Sequence, residues 1–202
     1  RMVAQGHEVY AYNRKGHHVS GKENDVKAVK EYKGIHIITV PTFEKKSLNA
    51  FVYSVLATIH ALFQHYDVIH YHASGSCAML WLPRLFGIHT VATIHGLDSQ
   101  RSKWGGFASR YLQFGERMAA QYADELIVLS EGNRKYFKDM YGRNATLIPN
   151  GVEKPELKEA KLILERYGLK KKSYILFLAR IVPEKGLHYL IEAFKDIATD
   201  KK

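Results

Sequence analysis

The feature that most constrains this chain is an alternation. Short runs rich in Val and Ile trade places with longer stretches of helical period. The strand-like runs are His7–Asn13, Ile35–Val40, Asp67–His72, Thr90–His95, Glu125–Ser130, Thr146–Pro149 and Tyr174–Ala179. Several are apolar on both faces, the pattern of strands covered from both sides. Between them, Leu48, Phe51, Val52, Val55, Leu56, Ile59, Leu62 and Phe63 form a wide apolar stripe at helical spacing. Arg101–Ala123 carries Trp104, Phe107, Ala108, Tyr111, Leu112 and Met118 at helical intervals. Glu131–Tyr141 and Pro155–Tyr167 read as two more helices, and Leu187–Thr199 as the last. Strands alternating with helices predict an α/β fold with a mostly parallel sheet.

Composition removes other classes. With 202 residues, 46% hydrophobic and 25% charged, the chain is ordinary globular material with enough length to bury a core. Its 30 basic and 20 acidic residues give a formal charge of +10, which favours polyanionic partners and says nothing about fold. Cys77 is the only cysteine, so no internal disulfide forms. No apolar run reaches the ~18–20 residues that cross a bilayer, and RMVAQGHEVYAYN has no signal-peptide core. The default expectation is a soluble cytosolic protein.

The segment Arg1–Gln5 reads as the last turn of a helix with Gly6 as its C-cap, which suggests an earlier strand and loop outside the chain. At the other end a helix runs straight into Asp200-Lys201-Lys202, so the chain reads as an internal fragment. A seam is expected near Asn150-Gly151. It divides a domain over residues 1–150 from a linker and helix over 151–173, with Lys170–Lys172 a solvated turn. A second doubly wound domain then starts over 174–202. In such folds ligands bind beyond the carboxyl ends of the strands.

Five groups stand at those ends. His70 and His72, two apart on a strand, share a face. Without a third ligand at metal spacing, the favoured reading has one in the core region and one reaching the cleft, and no metal. Ala73-Ser74-Gly75-Ser76 is a small turn suited to close ligand approach, and it lacks the Lys of a phosphate-binding P-loop. His95-Gly96 ends the next strand; the Gly permits a sharp turn, and His95 can be a base, a hydrogen-bond partner for substrate or a turn residue. Asp98 reads as a cap. Ser130 is a good N-cap ahead of Glu131, leaving backbone N–H groups toward the cleft. Asn150-Gly151 favours a tight turn with positive φ, either a hinge or a surface turn. Last, Arg180 ends an apolar run and Lys185 opens a helix five residues later. Two cations beside a helix N-terminus suit a diphosphate; the alternative is two exposed loop cations.

Taken in order, HYHASGS, TIHGLD, VLSEG, IPNGV and ARIVPEKGLHYLIEAF resemble the retaining family-four glycosyltransferases of the GT-B fold. KGIHIITVPTFEKKSLNAF, DVIHYH, WLPRLFG and TIHGLDSQRSKWGGFASRYL are closer to the N-terminal domain of bacterial rhamnosyltransferase-like enzymes of polysaccharide synthesis. The resemblance covers essentially the whole chain. It implies a Rossmann-like acceptor-side domain, then the first β-α unit of a nucleotide-sugar-binding domain. It implies transfer of a sugar from a nucleotide sugar to a saccharide or lipid-linked saccharide, with retention and without a metal or other cofactor. On that likeness Arg180 and Lys185 hold the donor diphosphate and His95 stands near the transferring sugar. His72, Ser74, Gly75, Gly96, Ser130, Glu131, Asn150 and Gly151 line the cleft. The family's Gly-rich loop would precede Arg1 and its paired-glutamate motif would follow Lys202, so the fragment alone is expected not to turn over.

The positive charge then suggests the cytoplasmic face of an anionic membrane. Lys45-Lys46, Arg101–Lys103 and Lys170–Lys172 are the contacting clusters, at roughly 1 kcal/mol per near-surface cation. Two other functions compete: a GT-B-fold nucleotide-sugar epimerase, and a basic α/β domain that binds nucleic acid. The second has no signature in the sequence, since the aromatics follow core periodicity. Asn144-Ala145-Thr146 matches a glycosylation sequon, incidental in a cytosolic protein.

Overall fold

The computed structural model describes residues 1–16, 29–42, 46–97, 106–152, 154–159 and 161–198. They gather into two compact units, Arg1–Gly151 and Val152–Lys202.

The first unit opens with a 3-10 turn, Val3–Gln5, closed by Gly6 at φ 89°, whose N–H donates to the Val3 carbonyl. Strand β1 (Val9–Arg14) pairs in parallel with β3 (Ile35–Val40). The two-residue strand β2 (Glu31–Tyr32) adds antiparallel to β3 through Lys33-Gly34, both at positive φ. That hairpin is absent from the strand reading because two residues carry no periodicity.

A second sheet holds β4 (Val68–His72), β5 (His89–Ile94), β6 (Glu125–Val128) and β7 (Thr146–Leu147) in the order β4-β5-β6-β7, all parallel. Helix α1 (Lys46–Leu62) leads into this sheet. Two short helices, α2 (Ser74–Cys77) and α3 (Trp81–Leu85), link β4 to β5. Helix α4 (Gly106–Tyr122) links β5 to β6, and α5 (Glu131–Tyr141) links β6 to β7. The fold is therefore mixed α/β with a parallel four-strand sheet, with the parallel pairing spread over two sheets.

The core lies on this second sheet. Ala92, Ile94, Leu126 and Val128 have essentially no exposure, and Cys77, Leu80, Ala119 and Phe137 close over them. Burial of the Cys77 thiol pushes its pKa up to about 12, so it stays an unreactive thiol.

Two sequence expectations change here. The apolar stripe of α1 is only partly covered: Phe51, Leu56, Ile59 and, just past the helix end, Phe63 are exposed, while Val52, Val55 and Leu62 are half-buried. The buried positions are Ser54, Thr58 and Ala61, small enough to let the helix approach closely. Their hydroxyls are satisfied: Ser54 donates to the Ala50 carbonyl, and Thr58 bonds the Tyr71 hydroxyl at 3.0 Å. On α4, Phe107 is 85% exposed, and the inward face is Leu112, Gly115, Glu116, Met118, Ala119 and Ala120. Glu116, fully buried, accepts a hydrogen bond from the Tyr136 hydroxyl at 3.1 Å.

The second unit holds α6 (Lys161–Tyr167), a 3-10 turn at Pro183–Lys185 and α7 (Leu187–Lys195). The helix expected over Pro155–Tyr167 is thus confined to its second half. The strand expected at Tyr174–Ala179 does not form, since the run has no ladder partner among the described residues. A strand exists only by pairing. The expected cap Asp98, the cluster Arg101–Lys103, Trp104, Lys45 and the stretch 199–202 lie outside the described residues, as does the side chain of Lys46.

Candidate functional site

In a parallel sheet every carboxyl end falls on the same edge. The order β4-β5-β6-β7 therefore sets His72, His95, Ser130 and Asn150 behind successive strand tips, with neighbouring strands about 4.8 Å apart. His72 is the last residue of β4 and stands opposite Thr93 of β5, two residues before His95. That register brings the two imidazoles together. His72 Nδ1 lies 3.1 Å from His95 Nε2, with ring centroids 5.4 Å apart. On the other side His70 stacks on His72 at 4.2 Å, and its Nε2 bonds Thr93 Oγ1 at 2.8 Å.

The expectation that one histidine of the pair packs in the core is corrected. Strand alternation turns Tyr71 inward, 7% exposed, and leaves both His70 and His72 on the exposed face. Both rings nonetheless lose part of their water. That loss, reinforced by the neighbouring rings of His72 and His95, pulls the His70 pKa down to about 4. His72 is lowered by the same loss of water and then by His95. Near neutral pH these two imidazoles are uncharged. They suit hydroxyl groups, to which they offer one donor and one acceptor each, better than they suit phosphates. Among the described residues no set of three or more His, Cys, Asp and Glu side chains is placed to hold a metal ion.

The turn after His72 is built under strain. Ala73 sits at φ 69°, ψ 156°, a backbone region that a residue with a Cβ seldom takes. Its N–H donates to the Thr93 carbonyl at 2.9 Å, which ties it to β5. Ser76 Oγ donates to the carbonyls of His72 and Ala73, and the Tyr111 hydroxyl donates to the Gly75 carbonyl at 2.7 Å. The closest support comes from α4. A Cβ on Gly115 would stand 1.8 Å from the Ser74 carbonyl oxygen, so only glycine lets the helix seat against this turn. Ser74 is fully buried and its hydroxyl has no hydrogen-bond partner among the described residues. It serves as packing in this arrangement.

Of the remaining candidates, Ser130 caps α5, accepting from the Asn133 N–H at 3.3 Å. The Glu131 carboxylate is held by Arg134 at 2.6 Å. An open cavity of about 640 Å³ is lined by Glu131, Arg134, Lys135, Lys138 and Asn144. Gly151 does not use positive φ, and Asn150-Gly151 forms no tight turn; the chain simply leaves β7 exposed. Arg180 and Lys185 belong to the second unit. Both are exposed, with Lys185 closing the 3-10 turn ahead of α7 and Gly186 at φ 70° between them.

Sequence reading did not single out Thr93, Tyr111 or Gly115. The signal for Thr93 was its position two before His95, the same face by strand alternation. Gly115, inside a helix, gave none.

An α/β unit whose polar residues gather at the carboxyl edge of a parallel sheet is Rossmann-like. The chain belongs to Glycosyltransferase Family 4, whose pattern matches residues 1–154. It is 32% identical over 133 residues to the uncharacterized glycosyltransferase YqgM of Bacillus subtilis, a match covering 65% of this chain and 36% of that protein. It is 28% identical over 199 residues to the uncharacterized glycosyltransferase MJ1178 of Methanocaldococcus jannaschii, covering 87% of this chain and 52% of that protein. The chain therefore spans between about a third and about half of these relatives' length. Among the described residues no helix is long and apolar enough to cross a membrane.

Proposed function

We propose that this chain forms the acceptor-side domain, and the beginning of the donor-side domain, of a retaining GT-B glycosyltransferase. The donor is a nucleotide sugar and the acceptor a saccharide, lipid-linked and presented at the cytoplasmic face of a membrane during polysaccharide synthesis. The enzyme it belongs to is of hexosyltransferase, rhamnosyltransferase-like kind. Family membership supports the class of reaction. The observation that carries the reading to these residues is the contact of His72 with His95 at the carboxyl tips of β4 and β5.

In the reaction, the bond from the anomeric carbon to the diphosphate oxygen breaks while the acceptor oxygen bonds that carbon on the same face. The acceptor proton passes to the leaving phosphate. Arg180 and Lys185 neutralise the charge that develops on the diphosphate, a task two fixed cations perform without a metal. His95 hydrogen-bonds a hydroxyl of the sugar. Neutral rings at His70 and His72 suit this division of labour, leaving phosphate to the cations and hydroxyls to the imidazoles.

The test is an NMR titration of the 202-residue chain with nucleoside diphosphates, nucleotide sugars and single-stranded DNA. The expected result is shifts at His95, Arg180 and Lys185 with the nucleotides and none with DNA, and loss of the response in Arg180→Ala. Silence toward every nucleotide, or a stronger response to DNA, overturns the reading. A transfer assay on this chain alone is expected to give no product.

A further inference from the structure

Two imidazole nitrogens 3.1 Å apart pose a question of protons. His72 Nδ1 and His95 Nε2 can share a hydrogen bond only if one of the two carries a proton and the other does not. Two arrangements of neutral rings satisfy this. In one, His72 is protonated at Nδ1 and donates, which forces His95 to carry its own proton on Nδ1. In the other, His95 Nε2–H donates and His72 carries its proton on Nε2. A free histidine side chain prefers the Nε2–H form. The second arrangement gives both rings that form, the first gives it to neither.

We propose that His72 is a positioning residue for His95: its Nδ1 accepts from His95 Nε2–H and so leaves His95 Nδ1 as an unprotonated acceptor. That Nδ1 meets a sugar hydroxyl rests on the transferase reading above; the proton arrangement itself does not.

The surroundings hold His72 in place for this task. His70 stacks on its ring at 4.2 Å and is anchored to Thr93 Oγ1, while Ser76 Oγ donates to its carbonyl. Within the trio His95 acts on His72, and both of those act on His70. Asp98 lies outside the described residues.

Ring ¹⁵N spectra of the whole 202-residue chain without ligand test this directly. The wild-type chain is expected to show His95 as a single Nε2–H tautomer. His72→Phe keeps a stacking ring but removes the acceptor, and is expected to turn that signature into a mixture of tautomers. In His72→Asn, Oδ1 stands close to where Nδ1 stood, and the single tautomer is expected to return. A wild-type His95 carrying its proton on Nδ1 overturns the proposal without any variant, and so does an unchanged signature in folded His72→Phe. Silence toward nucleotides overturns the transferase reading and leaves these spectra standing, so the two failures are told apart.

Discussion

Two apolar runs of similar character meet different fates in this molecule. Thr90–Ile94 lies between β4 and β6, with Ala92 and Ile94 fully buried. Tyr174–Ala179 is at least as apolar, yet it has no ladder partner among the described residues, and Ile175, Leu176 and Leu178 are 46%, 66% and 89% exposed. None of the described residues of the second unit is buried. Apolar composition makes a run capable of being a strand. A hydrogen-bonded neighbour on its edge and a helix on its face make it one.

The largest expected contrast is in amide exchange. In hydrogen–deuterium exchange, the amides of β5 and β6 open only with global unfolding and should be protected by about 10³-fold or more over those of Tyr174–Ala179. Equal rates in the two segments would erase the distinction. Next comes truncation. Leu126→Ala, at 1% exposure, should lower urea-unfolding stability by about 3 kcal/mol, while Leu178→Ala changes it by less than about 0.5 kcal/mol. A comparable loss at Leu178 would mean that the second unit has a core of its own.

A finer version of the contrast exists between two helix faces of the first unit. Gly115→Ala drives a Cβ against the Ser74 carbonyl and should cost about 2–3 kcal/mol, because neither backbone can yield cheaply. It should also disturb the His72–His95 contact, visible as shifted imidazole resonances. Gly132→Ala, whose Cβ would meet nothing within 4 Å, should gain a few tenths up to about 1 kcal/mol from helix propensity. Two similar penalties would show that α4 does not seat on the turn as described.

What the sequence disclosed follows from range. Ile35–Val40 and Glu131–Tyr141 form with the bounds that periodicity predicts, because their signals are local: alternation in one, a Ser cap and helical spacing in the other. The strand tips bearing His72, His95 and Ser130 were legible too, since order along the chain plus parallel pairing suffices to align them. The inward face of α1 was not. A helix apolar on most sides does not declare which side packs, and here small hydroxyl residues took the contact. Nor was the His72–His95 hydrogen bond legible, which depends on a β4–β5 register that no single strand encodes. The strain at Ala73 and the need for Gly115 arise from the same third dimension.

The smallest effect sharpens the comparison from its electrostatic side. Asp124 closes the loop between α4 and β6. Its partial burial alone would raise the carboxyl pKa. The Thr90 N–H at 2.8 Å, the Arg84 guanidinium at 2.7 Å, the Thr90 hydroxyl and His89 outweigh that and hold it below the ordinary value. A depressed folded-state pKa means that the stabilisation is fully present above the unfolded pKa of about 3.9, and is lost as pH falls through the lower folded value. Asp124→Asn should therefore be less stable than wild type near neutral pH, by on the order of 1 kcal/mol at low salt. The gap should shrink as pH falls below the unfolded value of about 3.9, close once the lower folded value is passed, and narrow as salt is raised. A gap that stays constant across this range would mean that Asp124 acts through shape and hydrogen bonding alone. Because this knot ties the start of β5 to the end of α4, its loss should be felt in exchange from β5 and not from Tyr174–Ala179.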